Sequence, residues 1–217
     1  GASPSLASTA ATDIGGEHVR RAHPFIAAGV PLFIDKPLCD RAADLAVFEQ
    51  WAAEGAKFLS SSSMRYAKEL VPYHRNHHEI GRLLMITMPM CKSLETYGIH
   101  ALEAVYPIVG PGFATVRTVP LDRGAIVHLH HASGVEVVLN SLYDSSYGAP
   151  VQLYGTQGSL SLSYGDSFSA FRAQLCAFVD YLRSGVEPYP RAETFELMRI
   201  LNAAIASRDQ GGELMML

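Results

Sequence analysis

Two side chains of this sequence, those of Lys36 and His100, are suited to moving a proton on and off an alcohol oxygen. Lys36 directly follows VPLFID, a run typical of a buried parallel strand, and an ammonium at that position can favour an alkoxide. His100 begins a predicted helix with Glu103 one turn later on the same face, and an imidazole pKa near about 6.5 suits a general base. The alternatives are a solvated strand-end lysine and a hydrogen-bonded core histidine.

Other histidines cluster in the segments RNHHE and HLHH. Within HLHH, His128 and His130 lie on one face of a predicted strand and His131 lies on the other. Two histidines on one face and an acid can bind zinc or iron, but neither HExxH nor the spacing of a facial triad occurs. We therefore expect no metal site, and we expect His128 or His130 to face a substrate pocket.

The elements that must position these side chains fall into two groups along the chain. In the first group, helical periodicity alternates with β-rich apolar runs, which predicts helices at residues 16–28 and 40–54 and strands at 30–35 and 57–60. This alternation is typical of the later part of a doubly wound, Rossmann-like α/β domain with parallel strands. The first group ends near residue 62.

The second group, residues 63–217, is dominated by short, closely spaced strands, a pattern that favours an antiparallel sheet. Strands are predicted at 83–88, 114–119, 125–131, 135–142, 151–154 and 159–163, and helices at 98–109, 167–184 and 192–208. In the helix at 167–184 we expect the apolar residues Phe171, Leu175, Phe178 and Leu182 to face the core. The fold class is therefore a partial α/β segment followed by an α+β unit, a mainly antiparallel open-faced sheet with helices on one side.

The composition narrows the class of protein. The chain has 217 residues, 48% of them hydrophobic, and a formal net charge of −4, which argues against disorder and against a nucleic-acid partner. No uncharged apolar run reaches about 18 residues, so no membrane helix is predicted. Cys39, Cys91 and Cys176 are expected to be isolated, at least partly buried thiols. The start, GASPSLASTAATD, does not resemble a signal peptide, and we expect a cytoplasmic protein.

Four separated stretches resemble, in the same order, segments of the Gfo/Idh/MocA oxidoreductases. The first, AHPFIAAGVPLFIDKPL, is similar to the family's segment that ends in Glu-Lys-Pro, and YGIHALEAVYPIVG to its histidine-containing helix. VQLYGTQGSLSL is similar to a sheet hairpin of the family, and residues 171–214 to its terminal pair of helices. Asp35 stands where the family has Glu, while Thr96 and Glu103 stand where it has Asp.

The family's GxGxxG turn, which lets backbone approach a pyrophosphate, does not occur in these 217 residues. The resemblance therefore fits either a piece of a longer enzyme or a truncated relative. It implies that residues 1–62 are a remnant of the dinucleotide-binding domain and that residues 63–217 form a substrate-binding and oligomerisation domain. It also implies a cis peptide bond between Lys36 and Pro37.

The function implied by the resemblance is transfer of a hydride between NAD or NADP and a hydroxyl-bearing carbon of a sugar, inositol or similar molecule. Lys36 and His100 would be the catalytic residues. The cofactor-binding residues would be His18, Asp35, Lys36 and Pro37, and the substrate-binding residues Lys36, Arg65, Tyr97, His100 and His128. The resemblance further implies a homodimer or homotetramer formed through the open sheet face. The alternatives are a non-catalytic binding or oligomerisation protein and a metal-dependent enzyme using the histidine strand.

Overall fold

The computed structural model describes residues 15–146 and 150–217. Its first part alternates helices and strands as predicted: α1 (His18–Ala27), β1 (Leu32–Phe33), α2 (Ala42–Ala53) and β2 (Phe58–Leu59). The two strands pair in parallel, with Leu32 opposite Phe58 and Phe33 opposite Leu59. Each strand is shorter than its apolar run predicted: only two residues of β1 pair with residues of β2.

An aromatic cluster packs α2 against this small sheet. The ring of Phe48 meets Trp51 edge-on, with centroids 5.3 Å apart, and lies 5.6 Å from Phe58 of β2. Gly29 and Gly55 follow the two helices with φ angles of 70° and 89°, a backbone region that favours glycine. The helices therefore end where the sequence predicted, and the chain turns back into each strand.

The second part is built on a seven-stranded sheet with the order β8-β7-β3-β6-β5-β4-β9. Its strands are β3 (Leu83–Cys91), β4 (Phe113–Leu121), β5 (Gly124–His131), β6 (Glu136–Leu142), β7 (Val151–Gly155), β8 (Ser159–Leu162) and β9 (Met215–Met216). β3 and β6 pair in parallel, and the other neighbouring pairs are antiparallel. The prediction of a mainly antiparallel sheet is confirmed, and β9 is a short edge strand that the sequence did not reveal.

Three helices complete this part: α3 (Ile99–Val109), α4 (Ser167–Ser184) and α5 (Arg191–Asp209). Alternate residues of the central strands, such as Val127 and Leu139, are buried in one core with Leu197 of α5. Ser207 of α5 accepts a hydrogen bond at Oγ from the backbone of Thr118, at 2.8 Å. The opposite sheet face carries exposed apolar side chains, so the helices cover one side only, as predicted.

The orientation of α4 differs from the prediction. Phe171 and Leu175 are each 53% exposed, whereas Gln174 and Tyr181 on another face of the helix are buried. The cause is a polar anchor: Gln174 Nε2 donates a 2.6 Å hydrogen bond to the backbone oxygen of Ser61. This bond turns the predicted apolar stripe away from the core, although the ring of Phe178 still contacts another aromatic ring, that of Phe33, at 5.5 Å between centroids.

Three further expectations concern single residues or segments. The Lys36–Pro37 peptide bond is cis, as the resemblance implied. Cys39 and Cys91 are buried, but Cys176 is exposed on α4, which corrects the expectation of burial for that thiol. Within the described ranges, none of the helices is both long enough and apolar enough to cross a membrane.

Candidate active site

Lys36 stands just past the carboxyl end of β1, where open α/β sheets place ligand-binding groups. Its ammonium donates a 3.3 Å hydrogen bond to the backbone oxygen of Thr96, which lies before α3. Partial burial of the side chain, together with the positive charge of Lys92, lowers the pKa of Lys36 below its usual range, while Asp35 opposes this shift. The lysine therefore links the first part of the chain to the second.

His100 lies in the first turn of α3, directly after a π-helical turn, Leu94–Gly98. Gly98 lets this turn approach α5, since a Cβ at that position would lie only 2.8 Å from a methyl carbon of Leu201. The Nδ1 atom of His100 lies 2.6 Å from the hydroxyl oxygen of Ser62. Burial, and secondarily the charge of Lys36, lowers the pKa of His100 to about 3, so the imidazole is neutral at pH 7.

Tyr97 brings the two predicted residues together. The ammonium of Lys36 lies 5.7 Å from the centre of the Tyr97 ring, and the His100 ring lies 5.0 Å from it, centroid to centroid. The electrostatic effect of Lys36 on His100 agrees with this proximity. Two side chains far apart in sequence and carried by different parts of the fold thus meet at one aromatic ring.

A pocket opens beside this ring; its cavity volume is about 30 Å³, within about 400 Å³ of empty space that includes open solvent. Its walls are mainly sulfur-containing and aromatic side chains, with His100 and Tyr97 on one side. The lining residues are Met64, Met88, Pro89, Met90, Cys91, Tyr97, His100, Ala101, Ser146 and Tyr164. Lys36 is not among them; its ammonium reaches the neighbourhood of the pocket through its contact with Tyr97.

Arg65 differs from the expectation that it contacts substrate. Its side chain is only 6% exposed, and its guanidinium pairs with the carboxylates of Glu103 and Glu193, the latter at 2.8 Å. The ring of Tyr189 stacks on it, 3.9 Å from centroid to guanidinium carbon. A guanidinium enclosed in this way is not available to a small molecule in the pocket, so we assign Arg65 to the support beneath the site.

Ser62 connects this buried ion pair to His100, and its place in a serine run carries no signal of that role. The Ser62 backbone N–H donates to a Glu103 carboxylate oxygen at 3.3 Å, while its hydroxyl accepts from the backbone N–H of Met64 at 3.1 Å. The same hydroxyl bonds His100 Nδ1. These contacts hold the imidazole in one orientation and leave its Nε2 atom without a partner among residues 15–146 and 150–217.

His18 and Asp35 line one open groove beside β1, with about 460 Å³ of space including open solvent. The Nδ1 atom of His18 lies 3.0 Å from the backbone oxygen of Leu38, just beyond the cis bond at Pro37. The Asp35 carboxylate accepts from the backbone N–H of Lys36 at 2.8 Å. The four residues predicted to contact a cofactor therefore lie around the end of β1.

His128 is not at the pocket. Its Nε2 atom lies 2.6 Å from Glu136, whose other carboxylate oxygen lies 2.7 Å from His130 Nδ1, and all three side chains are on the open sheet face. The strand alternation placed these histidines on one face correctly, but that face points away from the helices. Among the described residues, no group of three His, Cys, Asp or Glu side chains has the arrangement of a metal site.

No family model and no curated protein matches the chain. A putative myo-inositol dehydrogenase from Sinorhizobium meliloti 1021 superimposes with a TM-score of 0.79 at 15% identity, over 92% of this chain and 78% of its own. GenD2 from gentamicin A biosynthesis, in complex with NAD, gives 0.83 at 16% identity, over 99% and 82%.

An inositol dehydrogenase homolog from Azotobacter vinelandii, complexed with NADH and myo-inositol, gives a TM-score of 0.77 at 15% identity, over 94% of this chain and 76% of its own. The chain has the fold of the Gfo/Idh/MocA-type dehydrogenases. At these identities the likeness concerns the Gfo/Idh/MocA fold alone. The resemblance read from four short sequence stretches is thereby confirmed at the level of fold.

Proposed function

We propose that this protein is an NAD(P)-dependent oxidoreductase that transfers a hydride to or from a hydroxyl-bearing carbon of a sugar, inositol or similar small molecule. The observation that carries the proposal is the meeting of Lys36 and His100 at the Tyr97 ring, beside a pocket. The fold supports it, because the structurally similar proteins include GenD2 in complex with NAD and an inositol dehydrogenase homolog complexed with NADH and myo-inositol.

In the proposed reaction, Lys36 binds the oxygen of the reacting carbon. An ammonium near that oxygen stabilises the negative charge that develops as the hydroxyl proton leaves. Because Lys36 is half-buried and bonded to the backbone oxygen of Thr96, its position is fixed before substrate arrives. Such a fixed charge acts without reorganisation during the reaction.

His100 accepts the hydroxyl proton in the oxidation direction and returns it in the reduction direction. Its ring is neutral at pH 7, and in the tautomer whose Nδ1–H donates to Ser62, Nε2 is the atom that takes the proton. A pKa of about 3 makes the ring a weak base in the oxidation direction. A low pKa also makes the protonated ring a strong acid, which favours proton return to a carbonyl oxygen. Tyr97 lies between the two groups, and we propose that it contacts the substrate.

The residues around the end of β1 fit part of a dinucleotide. His18 and Asp35 line an open groove there, at the edge where α/β sheets bind nucleotides, and Lys36 and Pro37 follow directly. We propose that these four residues hold the cofactor, which when bound would accept or release the hydride. In this proposal residues 1–62 belong to the cofactor domain and residues 63–217 to the substrate and subunit contacts.

The proposal also includes a homodimer or homotetramer formed through the open sheet face. Val119, Ile126 and Leu142 are exposed there and lie close together, because Val119 pairs with Ile126 and Leu142 pairs with Gly124. A contiguous apolar patch on a sheet is typical of an interaction surface. A symmetric pair of such faces would bury it.

Two measurements test the proposal. The first is NADH binding, monitored by fluorescence, and the second is NAD reduction in the presence of a panel of polyols. Lys36→Met should lower the turnover rate by about a hundredfold or more, since it removes the charge beside the reacting oxygen. Lys57→Met, which changes an exposed lysine at the opposite end of the small sheet, should leave turnover unchanged. An absence of NADH binding would instead favour the alternative, a non-catalytic binding or oligomerisation protein.

A further inference from the structure

Lys92 is a second lysine at the candidate site, and the sequence reasoning did not single it out. Its ammonium lies 3.3 Å from the hydroxyl of Tyr97 and 4.5 Å from the centre of that ring. Lys36 lies 5.7 Å from the same ring centre. Two ammonium groups therefore lie next to one tyrosine at the pocket, and the His100 ring lies beside the same tyrosine.

The backbone at Lys92 is held in an uncommon conformation. Its φ angle is 59°, in the left-handed region that residues with a Cβ rarely adopt. Its carbonyl oxygen accepts a 2.7 Å hydrogen bond from the hydroxyl of Ser141, a buried residue at the end of β6. Left-handed residues of this kind cluster at functional sites, where the surrounding structure fixes them. The bond to Ser141 fixes the stem from which the Lys92 side chain reaches Tyr97.

The positive charges at this point lack carboxylate partners. Within the described residues, neither Lys36 nor Lys92 forms an ion pair, and the Asp35 carboxylate accepts from backbone instead. The nearby carboxylate of Glu103 is already paired with Arg65, and that of Glu95 with Arg208. Lys92 is exposed and Lys36 is partly buried, and the repulsion between their like charges contributes to the lowered pKa of Lys36. An anion beside them would relieve this repulsion.

The side chains of the pocket lining also favour an anionic ligand. Among the residues that the structure describes, this lining contains no Asp, Glu, Asn or Gln, the side chains that usually bind the hydroxyls of a neutral polyol. The two ammonium groups lie beside Tyr97 rather than in the lining and can only donate hydrogen bonds, while the lining itself adds the His100 imidazole and the hydroxyls of Tyr97, Ser146 and Tyr164. A negatively charged oxygen group is the acceptor that complements such a set.

From this juxtaposition we infer that the substrate carries an anionic oxygen group, a carboxylate or a phosphate ester, and that Lys92 binds it while Lys36 faces the reacting hydroxyl. The inference rests on the proposed function for the role of Lys36, and it names the class of substrate more closely. Lys92 is in this view a specificity-determining residue, because it selects an acidic sugar over its neutral counterpart.

The experiment compares three sugars that differ at a single carbon: glucose, glucuronate, and glucose phosphorylated at that carbon. Their binding is measured by calorimetry, with and without NAD, at low and high salt. We expect at least one anionic sugar to bind about tenfold tighter than glucose or more, with an advantage that shrinks as salt rises. The anionic sugar with the larger gain in affinity over glucose shows whether the substrate group is a carboxylate or a phosphate.

Variants test whether Lys92 causes the tighter binding of the anionic sugar. Lys92→Gln should reduce the affinity for the anionic sugar to that for glucose, Lys92→Arg should retain the preference, and Lys57→Gln should behave as the wild type. Equal affinity for all three sugars, no binding of either anion, or an unchanged preference in Lys92→Gln would overturn the inference. The binding measurement does not depend on turnover. If the protein prefers an anionic sugar through Lys92 but reduces no NAD, the result contradicts the proposed function and still supports the anion site.

Discussion

The hydroxyl of Ser62 lies 2.6 Å from Nδ1 of His100 and forms the one side-chain hydrogen bond that the structure gives to this imidazole within the described residues. Ser62 is itself held twice, by its backbone bond to Glu103 and by the Met64 N–H on its hydroxyl. The orientation of the proposed base is therefore set by a residue on a different segment of the chain.

Replacing Ser62 with alanine should lower the turnover rate by about tenfold to a hundredfold, because the ring loses the partner that fixes its orientation and tautomer. In the same variant, the NMR chemical shifts of the Nε2 and Nδ1 atoms of labelled His100 should also differ from those of the wild type. Ser62→Thr keeps the hydroxyl and should restore both properties. Unchanged nitrogen shifts in Ser62→Ala would contradict an orienting role.

The low pKa of His100 predicts how stability depends on pH. The folded protein holds this ring neutral down to a pH of about 3, whereas the unfolded chain protonates it near about 6.5. Between these values the unfolded state binds more protons, so the free energy of unfolding falls as the pH is lowered. His74, whose pKa burial lowers to about 4, acts in the same direction.

Urea unfolding at pH 7 and pH 5 measures this effect. The wild type should lose more stability between the two pH values than His100→Asn, whose side chain does not titrate. His74→Asn should remove a separate part of the same loss. An identical loss in wild type and both variants would mean that these rings do not have lowered pKa values in the folded protein.

The buried guanidinium of Arg65 predicts a large effect on stability. Arg65→Met would leave Glu103 and Glu193 without this partner in a desolvated environment, although Arg75 still contacts Glu193. We expect unfolding by urea to show a loss of about 3–5 kcal/mol. The double variant Arg65→Met with Glu103→Gln should recover part of it, since it removes the unpaired charge. No recovery in the double variant would assign the loss to packing against Tyr189.

These contacts also show what the sequence could and could not predict. Helix and strand positions followed from periodicity and glycine stops, because these signals are local. The packing partners of Arg65 are not local: Glu193 lies on another helix, and nothing in the segment SSSSMRY reveals it. A surface arginine, a substrate-binding arginine and a buried arginine therefore have the same sequence signature, and the structure decides among them.

The same limit applies to α4. Its apolar stripe correctly predicted an amphipathic helix, but periodicity reports only that one face is apolar and says nothing of what it meets. The buried hydrogen bond of Gln174 set the orientation, and a glutamine in a helix carries no sequence signal for such an anchor. Lys92 was missed for a related reason, since its left-handed backbone depends on Ser141, a distant residue.

The open sheet face gives the last prediction. Ile126 is exposed at the centre of the apolar patch formed with Val119 and Leu142, and the proposed homo-oligomer would bury it. Ile126→Glu would place a carboxylate, and its copy from the partner, in that interface, where neither could be solvated or paired. Sedimentation should therefore show an assembled wild type and a monomeric Ile126→Glu with unchanged circular dichroism.

Val71→Glu is the matched control, because Val71 is similarly exposed but lies in a 3₁₀ turn outside the sheet. It should sediment as the wild type does. If both variants remain assembled, the subunits meet through another surface, and the exposed stripe of α4 becomes the next surface to mutate. If the wild type is itself monomeric at micromolar concentration, the sheet face is not an interface between copies of this chain, since an isologous apolar contact of this kind would hold at that concentration.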